Sequence, residues 1–394
     1  MSDKNNKTLK PGWRRVKFRD VVRKSNEKAD PDTSGLERYI AGDHMDTDDL
    51  RLRRWGEIGS GYLGPAFHVR FKPGQVLYGS RRTYLRKVAV ADFEGICANT
   101  TFVLESKDRD VLLSEYLPIL MQTDAFNSFS VKNSKGSVNP YINFSDLEKF
   151  DFILPPVGVQ QRVFEGLSVV MQTIESIEGC INFVRQLRKS LGVEFFGSRQ
   201  NLKPLSEFVS ESMYGARFSN SLYSKSGSVA QLRTTDISED GAINYAGIPL
   251  ADLNAVEMES HLLKKGDLVF SRSGTCGITA VFHSHDVPTI PAAFLIRFRL
   301  KDGLSPHFLN EFFHSPIGRR LSASLARGAV QKNVSASELV KQKIPVPPIE
   351  IQEDVVARLK SLAVVIDQLE ARRGQLISMA KEMREGVNRA DADV

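Results

Sequence analysis

Only three cysteines occur in the 394 residues, Cys97, Cys180 and Cys276, and no two are close enough to form a CxxC pair. That excludes a disulfide framework and a cysteine-based zinc site, and it fits a reducing cytoplasm. Long hydrophobic runs are also missing. No stretch of eighteen apolar residues exists, so no transmembrane span and no membrane partner are expected. The opening MSDKNNKTLKPGW has basic residues with no apolar core behind them, so it does not read as a signal peptide. No GxxxxGK[ST] phosphate loop is present. Gly59-Ser-Gly61-Tyr-Leu-Gly64 matches GxGxxG, but Arg51–Glu57 before it is not a buried strand and Pro65 follows at once. A dinucleotide site needs a strand, a turn and a helix in that order. His283-Ser-His285-Asp286 offers metal-capable side chains without a third cluster, so it reads as a polar turn and no metal site is expected.

What is present is ordinary in bulk and unusual in pattern. Apolar residues make up 41% and charged residues 25%, with a net charge of +6, so the chain is long enough for two cores and mildly suited to an anionic partner. After Pro155-Pro156, apolar residues fall at Val159, Val163, Leu167, Val170, Ile174, Ile177, Ile181, Val184, Leu187 and Leu191. Steps of three and four place them on one narrow helical seam, held for about five heptads. Such a seam suits pairing with a second helix more than burial in a globular core. The second helix follows Pro347-Pro348, with Ile351, Val355, Leu359, Leu362, Ile366, Leu369, Leu376, Met379 and Met383 each 192 residues after a counterpart.

The repeat extends upstream. Gly74-Gln-Val-Leu-Tyr-Gly-Ser80 and Gly266-Asp-Leu-Val-Phe-Ser-Arg272 are strands entering turns at the same displacement, and the register reads as gapless from Gly74 to Leu191. Before Gly74 and Gly266, and in the loops, the halves diverge. The chain is a duplication of a globular segment plus a long helix, and its divergent loops suggest two similar modules with different targets.

This pattern resembles the specificity (S) subunit of type I restriction-modification systems, over about residues 11–388. The resemblance rests on the two-fold repeat and on the Pro-Pro-x-x-x-Gln opening of each helix, Pro155 to Gln160 and Pro347 to Gln352. It rests also on three signatures of the second half: Arg233-Thr-Thr-Asp-Ile237, Gly266–Arg272, and Gly328-Ala-Val-Gln-Lys-Asn-Val334 leading to Pro345-x-Pro-Pro348. The first half departs twice, having no Arg-Thr-Thr-Asp and carrying Asn139-Pro-Tyr-Ile142 in place of Gln-Lys-Asn-Val.

The resemblance implies a mixed α/β (α+β) fold. Target-recognition domains would occupy residues 1–153 and 198–345, each followed by a long helix, 154–197 and 346–390. The helices would form an antiparallel coiled coil that sets the separation of the domains. Each domain would read half of a bipartite double-stranded DNA target. The scaffold would dock two methyltransferase (M) subunits and two endonuclease/translocase (R) subunits. S-adenosylmethionine, ATP and Mg would then belong to those partners, with no cofactor and no catalytic residue on this chain.

The candidate DNA contacts follow from side-chain chemistry. Arg81, Arg82, Tyr84 and Lys87 lie in a turn that also holds Arg86, with four cations in seven residues and no acid. Arginine clamps phosphate or pairs with guanine O6/N7, and Tyr84 can pack on sugar or base. A solvated charged turn is the competing reading. The twin turn offers Arg272, Ser273 and Thr275. Two glycine-containing loops add Lys132, Lys135 and Asn139 in the first half, and Arg327, Gln331, Lys332 and Asn333 in the second. Arg233, Thr234 and Thr235 can read base edges, with Asp236 either joining them or capping a turn at Ser238–Gly241. Asn139-Pro140-Tyr141 lacks the second proline of the amino-methyltransferase Asn-Pro-Pro-Tyr motif. The alternative to DNA reading is a coiled-coil interaction scaffold.

Overall fold

The computed structural model describes residues 9–198, 200–274, 276–326 and 333–386. The chain divides into two compact units. The first runs to Ile177 and resumes from Arg372, and the second is Glu178–Ala371.

In the first unit, strand Val76–Gly79 sits inside an antiparallel sheet between Thr101–Ser106 and Val88–Val90, with Val22–Lys24 on the far edge. Its alternation serves two cores at once. Val76 and Tyr78 face one shared with the helices, while Leu77 faces another shared with Ile40, Met45 and Phe71. The second core lies against a further sheet in which Arg38–Ile40 runs parallel to Gly95–Ala98. The second unit repeats this. Leu268 and Phe270 face one core and Val269 the other, and Val229–Leu232 runs parallel to Thr289–Pro291. In each unit a short antiparallel ribbon leads toward a long helix: Arg14–Lys17 on Asp151–Leu154, and Leu202–Pro204 on Lys343–Pro345.

The gapless register does not hold. Val76 faces Leu104, whereas its counterpart Leu268 faces Phe298, so the offset there is 194 residues. The second unit loses one residue in the turn before Thr279–Val281, where Val281 answers Val90, gains three before Leu295–Leu300 and loses two after it, a net shift of two at that strand. A shift of two leaves every side chain on the same face of a sheet, so the alternating pattern hid it.

The sheets differ in their charges. In the first unit Glu105 stands opposite Arg23 and bonds it at 2.7 Å, with Gln75 donating to the same carboxylate at 3.1 Å. In the second unit the signs are exchanged. Arg299 stands opposite Glu211 at 2.7 Å and forks onto Asp267 with two bonds of 2.9 Å. Beside it the fully buried Arg297 also reaches Glu211 and donates to the carbonyls of Ser260 and Leu262.

The long helices are Val157–Phe196 and Ile349–Gly386, of 40 and 38 residues, or about 60 Å each at 1.5 Å per residue. In the first unit the start of one meets the end of the other: Leu167, Val170 and Ile174 share a core with Leu376 and Ala380. In the second unit Leu191, Phe195 and Phe196 share one with Val355, Val356 and Leu359. Within each unit the helices are antiparallel. Val163 and Ile177 pack on the first of these cores, and Val159, Leu362, Ile366 and Leu369 are half-buried. Ile351 departs from the expected seam at 51% exposed. The inward stripe there is Gln352, Val355, Val356 and Leu359, and a step of one residue turns Ile351 aside.

Gln352 and its counterpart Gln160 are both fully buried. Gln160 Oε1 accepts from the Leu113 N–H, and its Nε2 donates to the carbonyls of Val111 and Pro155, all at 2.9 Å. Gln352 makes the same three bonds to Ser305, Gly303 and Pro347 at 2.8, 2.9 and 2.8 Å. Each glutamine ties the first turn of a long helix to a loop of its own domain.

Candidate nucleic-acid interface

Two loops far apart in sequence meet at the end of the first unit's central strand. The turn after Gly79 and the loop after Lys132 are stitched by backbone bonds from Arg82 N to Pro140 O at 2.6 Å and from Ile142 N to Ser80 O at 3.0 Å. Arg81 and Lys135 both pair with Tyr141 across isolated bridges. The Thr83 and Ser134 hydroxyls lie 2.8 Å apart, and Arg82 Nε donates to Asn139 Oδ1 at 2.9 Å. Lys135 reaches Asp146 at 2.9 Å, and Lys149 with Lys135 holds that carboxyl down at about 2.

The result is a rim on which Arg81, Arg82, Lys132, Lys135 and Asn139 are exposed beside Tyr84 at 52% and Tyr141 at 43%. Cations, an amide and two aromatic faces together suit phosphate, base-edge and sugar contacts. The sequence carries no signal for Tyr141 in this role beyond the Asn-Pro-Tyr string. Arg86, by contrast, is spent inside the fold. It bonds Asp48 at 2.7 Å, Asp124 at 2.6 Å and the Gln122 carbonyl. Lys87 is half-buried and donates to the Gly42 carbonyl.

The second unit brings the equivalent loops together. Ser273 pairs with Asn333 as Arg81 pairs with Tyr141, and Val334 N donates to Arg272 O at 2.9 Å as Ile142 does to Ser80. Ser273 is buried, and Arg272 is half-buried with its guanidinium 4.4 Å from the Tyr214 ring centre, a cation–π contact. Tyr214 also accepts from the Ala336 N–H at 3.1 Å. Nothing in the sequence links it to this turn, because its strand lies near residue 214 and the turn near 272. Thr275, Arg327, Gln331 and Lys332 lie outside the described residues.

Asp236 neither reads outward nor caps the Ser238–Gly241 turn. It is buried and takes the Arg233 guanidinium at 2.7 and 3.0 Å and the Arg233 N–H at 2.8 Å. Ser238 instead closes the following turn by accepting from Ala242 N at 3.0 Å. Thr235 is exposed and Thr234 half-buried beside this fork.

The backbone of the two turns differs in what it costs. Arg82 and Arg86 both have φ of 50°, in the left-handed region. Their counterparts are Gly274 at 74° and Gly277 at 95°. A residue with a Cβ sits there at a cost of roughly 1–2 kcal/mol, which glycine avoids.

Elsewhere, His285 Nδ1 lies 3.2 Å from the Val287 carbonyl and 3.0 Å from Thr289 Oγ1, and His283 stacks on His307. No group of three or more histidine, cysteine or acidic side chains able to hold a metal ion is found among the described residues. No helix among them is long and apolar enough to cross a membrane. The second unit also contains a cavity of about 970 Å³ lined by His283, His307, His314, Glu311 and Lys360 among others, and none of the candidate DNA contacts lines it.

The family model of the type I restriction modification DNA specificity domain matches residues 12–186 and 222–378. The specificity subunit of the type I restriction enzyme EcoKI of Escherichia coli K12 is 21% identical over 284 residues, covering 65% of this chain and 61% of that protein. The chain thus spans under two thirds of that relative's length. The EcoDI specificity subunit of Escherichia coli is 24% identical over 177 residues, 43% of this chain and 37% of that one. Among solved structures, a chain from a type I R-M system shares the fold with a TM-score of 0.67 at 19% identity, covering 98% of this chain and 100% of its own.

Proposed function

Because the chain belongs to the type I restriction-modification DNA specificity family, we propose that it is the target-recognition subunit of such a system, reading a bipartite double-stranded DNA sequence through its two units. One observation carries this reading. The same two loops are joined by the same backbone contacts in each unit, yet they present Arg81, Arg82, Tyr84 and Tyr141 in one and the half-buried Arg272 and Asn333 in the other. A shared scaffold with different side chains is what two half-sites of different sequence require.

In this reading the helices dock two methyltransferase subunits, and two endonuclease/translocase subunits complete the complex. Apolar side chains left exposed on the helices support it: Val169 and Ile377 in the first unit, and Phe183, Val193, Val364 and Val365 in the second. S-adenosylmethionine, ATP and Mg are assigned to those partners and catalysis with them.

The test is to replace residues 11–150 with the corresponding domain of another family member and map the adenines methylated by the assembled complex. One half of the target should change and the other stay. A target altered in both halves, or in neither, would overturn the modular reading. A coiled-coil scaffold without a DNA role would show no salt-dependent DNA binding, with or without its partner.

A further inference from the structure

We propose that Arg82 reads a guanine in the half-site of the first domain and that Asn139 positions it, an assignment that rests on the specificity reading above.

The fold requires a left-handed residue at this corner in both units, since Arg82 has φ of 50° and Gly274 has 74°. Glycine meets the requirement without strain, yet the first unit holds an arginine. Strain of this kind persists where the side chain is needed. Arg86 shows what a structural need looks like: it shares the left-handed conformation, and two carboxylates and a carbonyl consume its guanidinium. Arg82 has no such explanation. Its side chain is exposed, and among the described residues it bonds only the neutral Asn139.

The geometry of that bond matters. Asn139 Oδ1 takes Nε at 2.9 Å, which leaves the edge formed by the two terminal nitrogens open. Two parallel N–H donors on a planar fork match the O6 and N7 acceptors of guanine in the major groove. An acid in place of Asn139 would neutralise the cation, whereas an amide orients it and leaves the charge available. The corner itself is fixed, because Arg82 N is bonded to Pro140 O and Arg81 to Tyr141. A guanidinium aimed from a fixed corner loses little freedom on binding.

The experiment uses the full chain assembled with its methyltransferase partner. Once methylated sites are mapped, methylation rates are compared on duplexes carrying each of the four bases at every half-site position. Arg82→Gly should abolish the preference at one G·C pair, a loss of roughly five- to 150-fold in discrimination, and leave the other half-site untouched. Its melting temperature should equal or exceed that of the parent, and should exceed that of Arg82→Ala by about 2–4 °C, because only glycine relieves the backbone. Arg82→Lys should keep the salt slope and lose the guanine preference, since a point charge cannot fork. Asn139→Ala should weaken preference at the same pair, and the double variant should lose no more than Arg82→Gly alone.

A uniform loss of affinity with the salt slope reduced by about one would make Arg82 a phosphate contact and overturn the proposal. So would an unchanged preference in Arg82→Gly. Additive losses in the double variant would overturn the positioning role of Asn139. A parent complex with no base preference in that half-site would instead overturn the specificity reading itself.

Discussion

His314 occupies in the second domain the place that Gln122 holds in the first. Its Nε2 lies 2.8 Å from the Thr279 carbonyl, and burial lowers its pKa below the usual 6.5, with Arg319 and Arg188 acting the same way and the Thr279 bond and Asp240 opposing. The folded state therefore binds this proton less readily than the unfolded chain does. Its contribution to stability is whole above pH 6.5 and is lost as pH falls through 6.5 toward the lowered value. His307, lowered by burial as well, works in the same direction. His314→Gln should flatten part of the loss between pH 7 and 5, read from melting temperatures at several pH values. An equal acid loss in the variant would show that His314 does not carry it. At this scale the sequence exposed the chemistry of single residues better than their partners. Arg81 and Arg82 stood out as cations, but nothing local showed that Arg86 is consumed by Asp48 and Asp124 or that Tyr141 joins the rim. Those facts depend on chain segments about 40 and 60 residues away meeting in space, which side-chain type does not encode.

Helices and strands were more readable, because burial imposes a period. The two helices follow from their three-and-four spacing, and their starts at Val157 and Ile349 fall just after the prolines. Leu154, at the head of the helical stretch, belongs to a strand instead, paired with Arg14. The glutamines after the prolines were visible as a motif but not as anchors, since an amide in a helical pattern gives no sign of facing inward. Their three bonds lead to a direct expectation. Gln160→Ala should remove the bonds to the half-buried Leu113 N–H and Val111 carbonyl, and Gln352→Ala those to the half-buried Ser305 N–H and the Gly303 carbonyl. Each should destabilise its own unit by about 1–3 kcal/mol or somewhat more, measured by chemical denaturation. A change below about 0.5 kcal/mol, the range of ordinary surface substitutions, would mean that the loops find other partners.

At the level of the whole molecule, Phe183 stands 67% exposed on the first helix, an unusual place for a large aromatic side chain. Phe183→Glu should leave the melting temperature of the isolated chain unchanged within a degree or two while reducing co-purification of the methyltransferase subunit proposed as its partner. Full recovery of the partner would remove this face from the docking surface. The exchanged charges in the two sheets have a further consequence, for inheritance. Suppose that a genetic crossover between the two halves fell inside a domain. It would set the strand of Arg23 against that of Arg299, or Glu211 against Glu105, and leave like charges directly opposed across a sheet. Such recombinants would be penalised before any question of DNA arose. Shuffling of specificities should therefore succeed with entire domains as the unit of exchange, with breakpoints confined to the helices and the segments that flank them.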